Sequence, residues 1–139
     1  MFLFNFKNSK NNYWIFQSNP KNFKIKNKYD DFSIRERKME IKPNDFIWFR
    51  FTGKENGFYG MGRILTYAEA KPNLFGKWTC VYELLYLIDK PLLISELRKD
   101  KILGIDKNIT GRQYNNQKIS YITHSKLMDY CKNRTYKFS

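Results

Sequence analysis

The chain has 139 residues, 42% hydrophobic and 18% aromatic, which is enough apolar material for one core and predicts a single domain over residues 1–139. Lysine and arginine total 26 against 13 acidic residues, a net charge of +13 that points to a polyanionic partner, with a basic surface of purely compositional origin as the alternative. A single histidine leaves nothing from which to build a His-dependent triad or a multi-histidine metal site, and Cys80 and Cys131 lack the spacing of a metal knuckle or a disulfide framework.

The first dozen residues read as a strand fragment or an arm that ends in the polar run 8–12. Their apolar start, Met1 to Phe6, is too short for a signal sequence and its charges follow it, so an intracellular, cytoplasmic protein is expected. No run reaches the roughly 18 to 20 apolar residues of a membrane helix, and no membrane partner is expected. Tyr13-Trp14-Ile15-Phe16-Gln17 then predicts a buried strand that halts at Ser18-Asn19-Pro20. Ser18 and Asn19 either cap a following helical turn or form a polar site at the strand's mouth. From Pro20 the spacing of Phe23, Ile25, Tyr29 and Phe32 predicts a loose helix, with Lys21 and Lys24 on a basic face; Arg35, Arg37 and Lys38 make a second basic cluster.

Ile41-Lys42-Pro43-Asn44-Asp45 predicts a turn into the strand Phe46 to Phe51, which is apolar on both parities and should be covered on both faces. Residues 52–57 contain an Asn-Gly hairpin signal, and the returning strand runs from Phe58 to about Ala70. Gly60 and Gly62 clear side chains from one patch of it, either for a close approach or for a bend. The loop 71–77, with Phe75 and Lys77, leads to Trp78; its aromatics either fold back on the core or line a pocket. A strand from Trp78 to Ile88 should stop at Asp89-Lys90-Pro91, and Ser95 caps a short helix. Gly104 to Asn116, with Arg112, is turn-rich; Lys118 to Ile122 is the last strand, and Thr123 caps a closing helix with Leu127, Met128 and Cys131 inward. The order predicts an α+β domain around a curved β-barrel.

Tyr13 to Pro20, then Ile41 to Asp45 opening an aromatic strand, then Gly57-Phe58-Tyr59-Gly60-Met61-Gly62-Arg63-Ile64, together resemble the EVE family. The likeness is best over residues 13–65 and weaker through Pro91-Leu92-Leu93 and Ser95-Glu96-Leu97. It implies a PUA-like, YTH-like fold with flanking helices and a reader of modified, methylated bases taken up by base flipping into an aromatic pocket. The pocket residues it implies are Ser18, Asn19, Phe32, Ser33, Phe75 and Trp78, with Phe32 where the family usually has tryptophan. Lys21, Lys24, Arg35, Arg37, Lys38, Lys77 and Arg112 are the expected contacts to the nucleic-acid backbone.

Elementary chemistry agrees with those residue types. A flat base gains roughly 1 to 3 kcal/mol by stacking on an aromatic ring, and an asparagine offers a donor and an acceptor to a base edge. Glycines 57, 60 and 62 do not form a phosphate-binding turn and no GxxxxGK[ST] occurs, so neither catalysis nor a cofactor is expected. Three settings follow: the DNA-recognition domain of a McrB-type restriction system, partnered by an AAA+ motor domain and a nuclease subunit; a stand-alone EVE protein or RNA reader; or a basic protein-interaction module.

Overall fold

The first strand forms where four consecutive bulky β-formers meet partners on both edges. In the computed structural model, which describes residues 11–21, 24–25, 27–34, 40–70, 78–111, 116–132 and 134–137, strand β1 spans Tyr13–Ser18. It pairs in parallel with β3 (Phe46–Phe51) and antiparallel with β7 (Asn116–Ile119). Strand β4 (Gly57–Ile64) returns from β3 through the expected hairpin, and β6 (Trp78–Leu93) lies on its far side with β2 (Tyr29–Ile34) beyond. The sheet order is β2-β6-β4-β3-β1-β7; two short strands, β5 (Glu69–Ala70) and β8 (Thr135–Lys137), also pair with β6. Among the described residues β2 and β7 do not pair, and the sheet is a curled half-barrel.

Side chains alternate across a strand, so each strand feeds two cores. Trp14 and Phe16 point into the half-barrel with Phe32, Ile34, Ile47, Phe49, Tyr82 and Leu84. Tyr13 and Ile15 point outward, where they meet Trp48, Phe58, Met61 and the helices. Both faces of β3 are buried, as its apolar pattern requires. The outer face is covered by α1 (Ile94–Leu97), α2 (Lys107–Thr110) and α3 (Tyr121–Cys131), with a 3-10 turn at Leu103–Ile105.

Strand β6 serves both cores by slipping register. Met61 faces Tyr86 and Gly62 faces Leu84, so Leu85 is an extra residue. Before the bulge Cys80, Tyr82 and Leu84 point inward, and after it Ile88 and Leu92 point to the helices. Here β6 passes so close that a Cβ on Gly62 would lie 2.6 Å from the Glu83 carbonyl oxygen, which makes close backbone approach the reason for this glycine.

Several local expectations are corrected. The described residues after Pro20 are not helical but irregular up to β2, because pairing with Trp78 to Glu83 of β6 recruits residues 29–34 as a strand. Strand β4 stops at Ile64 instead of Ala70. Strand β6 continues through Asp89-Lys90-Pro91 because these residues sit in a second bulge, where Phe58 faces Leu92 and Gly60 already faces Leu87, so Pro91 withholds no ladder bond. Ser95 lies inside α1 and makes no cap. The last helix starts at Tyr121 and is capped by Ser120, whose Oγ accepts from the Thr123 N–H at 3.1 Å; Thr123 is within the helix. The N-terminal residues 1–10 lie outside the described residues. Among the described residues no helix is long and apolar enough to cross a membrane.

Candidate nucleic-acid interface

The expected site residues divide between the rim and the interior of the half-barrel. Ser18 ends β1, half-buried, and its carbonyl accepts from the Thr52 N–H at 3.0 Å, tying it to the β3–β4 hairpin. Asn19 is exposed and its Oδ1 accepts from the Lys21 N–H at 2.8 Å. That is the contact of an Asx turn, and among the described residues no helix follows it. Lys21 and Lys24 are exposed beside it.

Phe32 is 1% exposed and belongs to a strand, not to a turn-rich segment. Its ring centroid lies 4.5 Å from Phe16, 5.9 Å from Tyr82 and 6.3 Å from Phe49, so β2 and β1 meet through their rings across the interior. Ser33 follows it, half-buried. Trp78 is half-buried and packed against the same interior cluster. The register sets Ser18 level with Phe51, Gly57 and Leu93, whereas Trp78 opens β6 at its other end. The sheet therefore brings Phe16 and Phe32 together and leaves Trp78 apart from Ser18 along the strands. Phe75, Arg35, Arg37, Lys38, Lys77 and Arg112 lie outside the described residues.

A cavity of about 220 Å3 opens elsewhere, on the helix side, lined by Trp48, Met61, Tyr86, Ile88, Met128, Cys131 and Lys132. Burial pushes the Cys131 thiol up to about 12. Among the described residues no cluster of metal-ligating side chains occurs.

Four polar devices went unrecognised in the sequence. The Asp45 carboxylate, fully buried, accepts from Asn12 N–H (2.9 Å), Trp14 Nε1 (2.9 Å), Lys42 N–H (3.1 Å) and Lys42 Nζ (3.4 Å), and so fastens β1 to the turn before β3. His124 Nδ1 accepts from Trp48 Nε1 at 3.1 Å, and its ring stacks on Tyr13 with centroids 4.2 Å apart. Gln17, beside Ser18, has a buried Oε1 with no partner. Arg50 is a buried cation in an otherwise apolar strand, which is the one sequence signal that marks it.

The buried Trp48–His124 pair gives a pH dependence. Burial lowers His124 to about 4 from an unfolded value near 6.5, so between those values the unfolded chain binds the extra proton. The stability held above pH 6.5 is thus lost as the pH falls toward 4. Urea unfolding should show about 2 to 3 kcal/mol lost between pH 7 and pH 4.5 in excess of the loss in His124→Gln. Equal pH slopes in the two proteins would remove the histidine as the cause.

The curl of the mixed sheet, its parallel β1–β3 pair and the helices on one face define a PUA-like half-barrel. Solved structures share it: a hypothetical protein from Leishmania major is 18% identical with a TM-score of 0.73, over 88% of this chain and 95% of that one. The DUF55 domain of human thymocyte nuclear protein 1 is 14% identical with a TM-score of 0.65, over 88% and 99%. The human THYN1 protein in complex with 5-methylcytosine-containing DNA is 11% identical, with the same TM-score of 0.65 and the same coverage of 88% and 99%. Neither a family model nor a curated protein matches the chain.

Proposed function

We propose that this chain is a non-catalytic nucleic-acid-binding module that recognises a methylated base. The observation that carries the reading is the fold shared over 88% of the chain with a protein solved on 5-methylcytosine-containing DNA. The +13 charge supplies the matching electrostatics. In this reading a flipped base enters where β1 and β2 meet, with Ser18 and Asn19 at its rim and one ring of the Phe16–Phe32 pair turning aside to stack on it. Within it we favour the DNA-recognition domain of a McrB-type restriction system, working in the cytoplasm with an AAA+ motor and a nuclease, on the EVE resemblance of residues 13–65. An RNA reader uses the same chemistry.

The test is binding to paired 5-methylcytosine and cytosine oligonucleotides, as DNA and as RNA, with wild type and Asn19→Ala. Wild type should prefer the methylated strand. Asn19→Ala should weaken that complex by about 1 to 3 kcal/mol while its unfolding midpoint stays close to wild type, since only an exposed Asx turn is lost. Equal affinity of wild type for both bases overturns the reading.

A further inference from the structure

The described cations are not used alike at the two ends of the sheet. At the Tyr13 end each meets an acid: Arg63 and Lys28 lie 2.8 and 3.9 Å from Glu83, Lys42 lies 3.4 Å from Asp45, and Lys118 lies 3.4 Å from Glu40. Toward the Ser18 end, Lys21, Lys24, Arg98, Lys99, Lys101 and Lys107 are exposed and make no ion pair with a described acid. The acids of the segment that carries the last four are taken by other groups. Glu96 is held by both Nη atoms of Arg134, at 3.1 and 2.6 Å. Asp100 accepts from the Ile102 and Leu103 N–H groups (2.8 and 2.9 Å) and from the Tyr130 hydroxyl (2.7 Å), with Lys126 Nζ 3.7 Å away. Asp106 accepts from the Asn108 N–H at 2.9 Å and from the Thr123 hydroxyl. These bonds tie the carboxylates to the backbone and to the chain from α3 onward, and leave the four cations facing solvent.

The fold fixes where this segment lies. Helix α1 starts directly after Leu93, which is level with Ser18 through Phe51 and Gly57. The Ile94 N–H donates to the Asn56 carbonyl at 2.9 Å, on the same β3–β4 hairpin whose Thr52 N–H holds the Ser18 carbonyl. The chain then coils tightly: the Gly104 N–H donates to the Asp100 carbonyl at 2.8 Å, and a Cβ on Gly104 would lie 2.4 Å from the Arg98 carbonyl oxygen. Arg98, Lys99 and Lys101 are thus gathered on one turn, and α2, which opens with Lys107, is fastened beside it by the bond from Arg50 Nη1 to the Ile109 carbonyl at 2.9 Å, level with Gln17. Two basic segments therefore flank the Ser18–Asn19 rim, one after β1 and one after β6. The hairpin between them carries one cation and one acid, Lys54 and Glu55, and adds no net charge. Three strand spacings separate β1 from β6, at most about 14 Å, which roughly four nucleotides of one strand span.

We propose that the surface from Arg98 to Lys107 binds the phosphate backbone of a nucleic acid that also crosses the Ser18–Asn19 rim and Lys21 and Lys24 beyond it. That the partner is a nucleic acid rests on the function proposed above. Cations with no acid beside them lose no ion pair when phosphates replace their counterions, so each contact adds to affinity and to its salt dependence. Such contacts position the strand and carry no base information, so their loss weakens all sequences alike.

The experiment uses the full chain and two charge-matched triple variants. One carries Arg98→Gln, Lys99→Gln and Lys101→Gln; the other carries Lys28→Gln, Lys118→Gln and Lys132→Gln, three lysines that sit in ion pairs away from this surface. The first should bind methylated and unmethylated oligonucleotide duplexes about tenfold or more weakly than wild type, the ratio between them unchanged, and its slope of log affinity on log salt should be smaller by about two to three. The second should lose less than about threefold, the share of the general field. Lys107→Gln alone should lower the slope by about one and serves as a check that does not depend on the triple variant's folding. If the two triple variants lose the same affinity and slope, or Lys107→Gln and the first variant match wild type, the surface is overturned, and a methyl preference persisting in wild type leaves the base reader standing. A wild type that binds both bases equally, with affinity still lost in the first variant, keeps the surface and overturns the base reader. If wild type binds neither oligonucleotide, both fall.

Discussion

Replacing Asp45 with alanine should lower the stability of the domain by about 3 to 5 kcal/mol, among the larger losses a single substitution produces here. The carboxylate is fully buried, and its removal strands the buried Trp14 indole N–H and takes the acceptor from the part-buried Asn12 and Lys42 N–H groups. Each unsatisfied donor carries the desolvation cost of its group, about 1 to 3 kcal/mol. The turn is affected as well, because Asn44 stands at φ 74° and its N–H reaches the Ile64 carbonyl at 2.7 Å, which fixes the end of β4 beside Asp45. Denaturant unfolding checks the value. A loss below about 1 kcal/mol would mean that the donors find other acceptors and that the carboxylate is not the fastening.

Phe32→Ala should cost a similar amount, about 3 to 5 kcal/mol, since the ring is enclosed by Phe16, Phe49 and Tyr82 and its loss leaves a cavity at the point where β2 meets β1. A solvent-facing pocket wall would cost much less. The measurement thus separates a core ring from an open cage, and a near-neutral Phe32→Ala would return this position to the surface. Phe32→Leu retains most of the filling and keeps a folded protein for binding measurements.

Strands β1, β3 and β4 were legible because their residues are dense in aromatic and β-branched types and end at Ser-Asn-Pro, Pro-Asn-Asp and Asn-Gly turns. The two apolar parities of β3 predicted a strand covered on both sides, as it is. Strand β2 was not legible. Only Phe32 and Ile34 mark its buried parity, while Ile25, Tyr29 and Phe32 fall at spacings of three and four that imitate a helix; what decides the matter is the ladder offered by β6, some fifty residues on. The same distance hid the candidate site's polar devices. Trp48 and His124 are 76 positions apart, and Arg50 bonds a carbonyl 59 positions away. In a chain with 26 basic residues, charge does not single out Arg50, the cation that among the described residues is buried. Asn19 was legible as a turn residue, and the Lys21 N–H bond to its Oδ1 shows which turn it makes.

The pairing of β1 with β7 bears on how the chain is made. Phe16 lies opposite Asn116, so 116 − 16 = 100 residues separate the partners. At a synthesis rate of about 5 to 20 residues per second, one edge of Tyr13-Trp14-Ile15-Phe16 stays uncovered for roughly 5 to 20 s after it leaves the ribosome. Strand β3 reaches the other edge much sooner. During that interval the half-barrel interior can assemble while the β7 side presents an open aromatic ladder, which leaves the nascent chain vulnerable to strand-to-strand association until β7 has been synthesised.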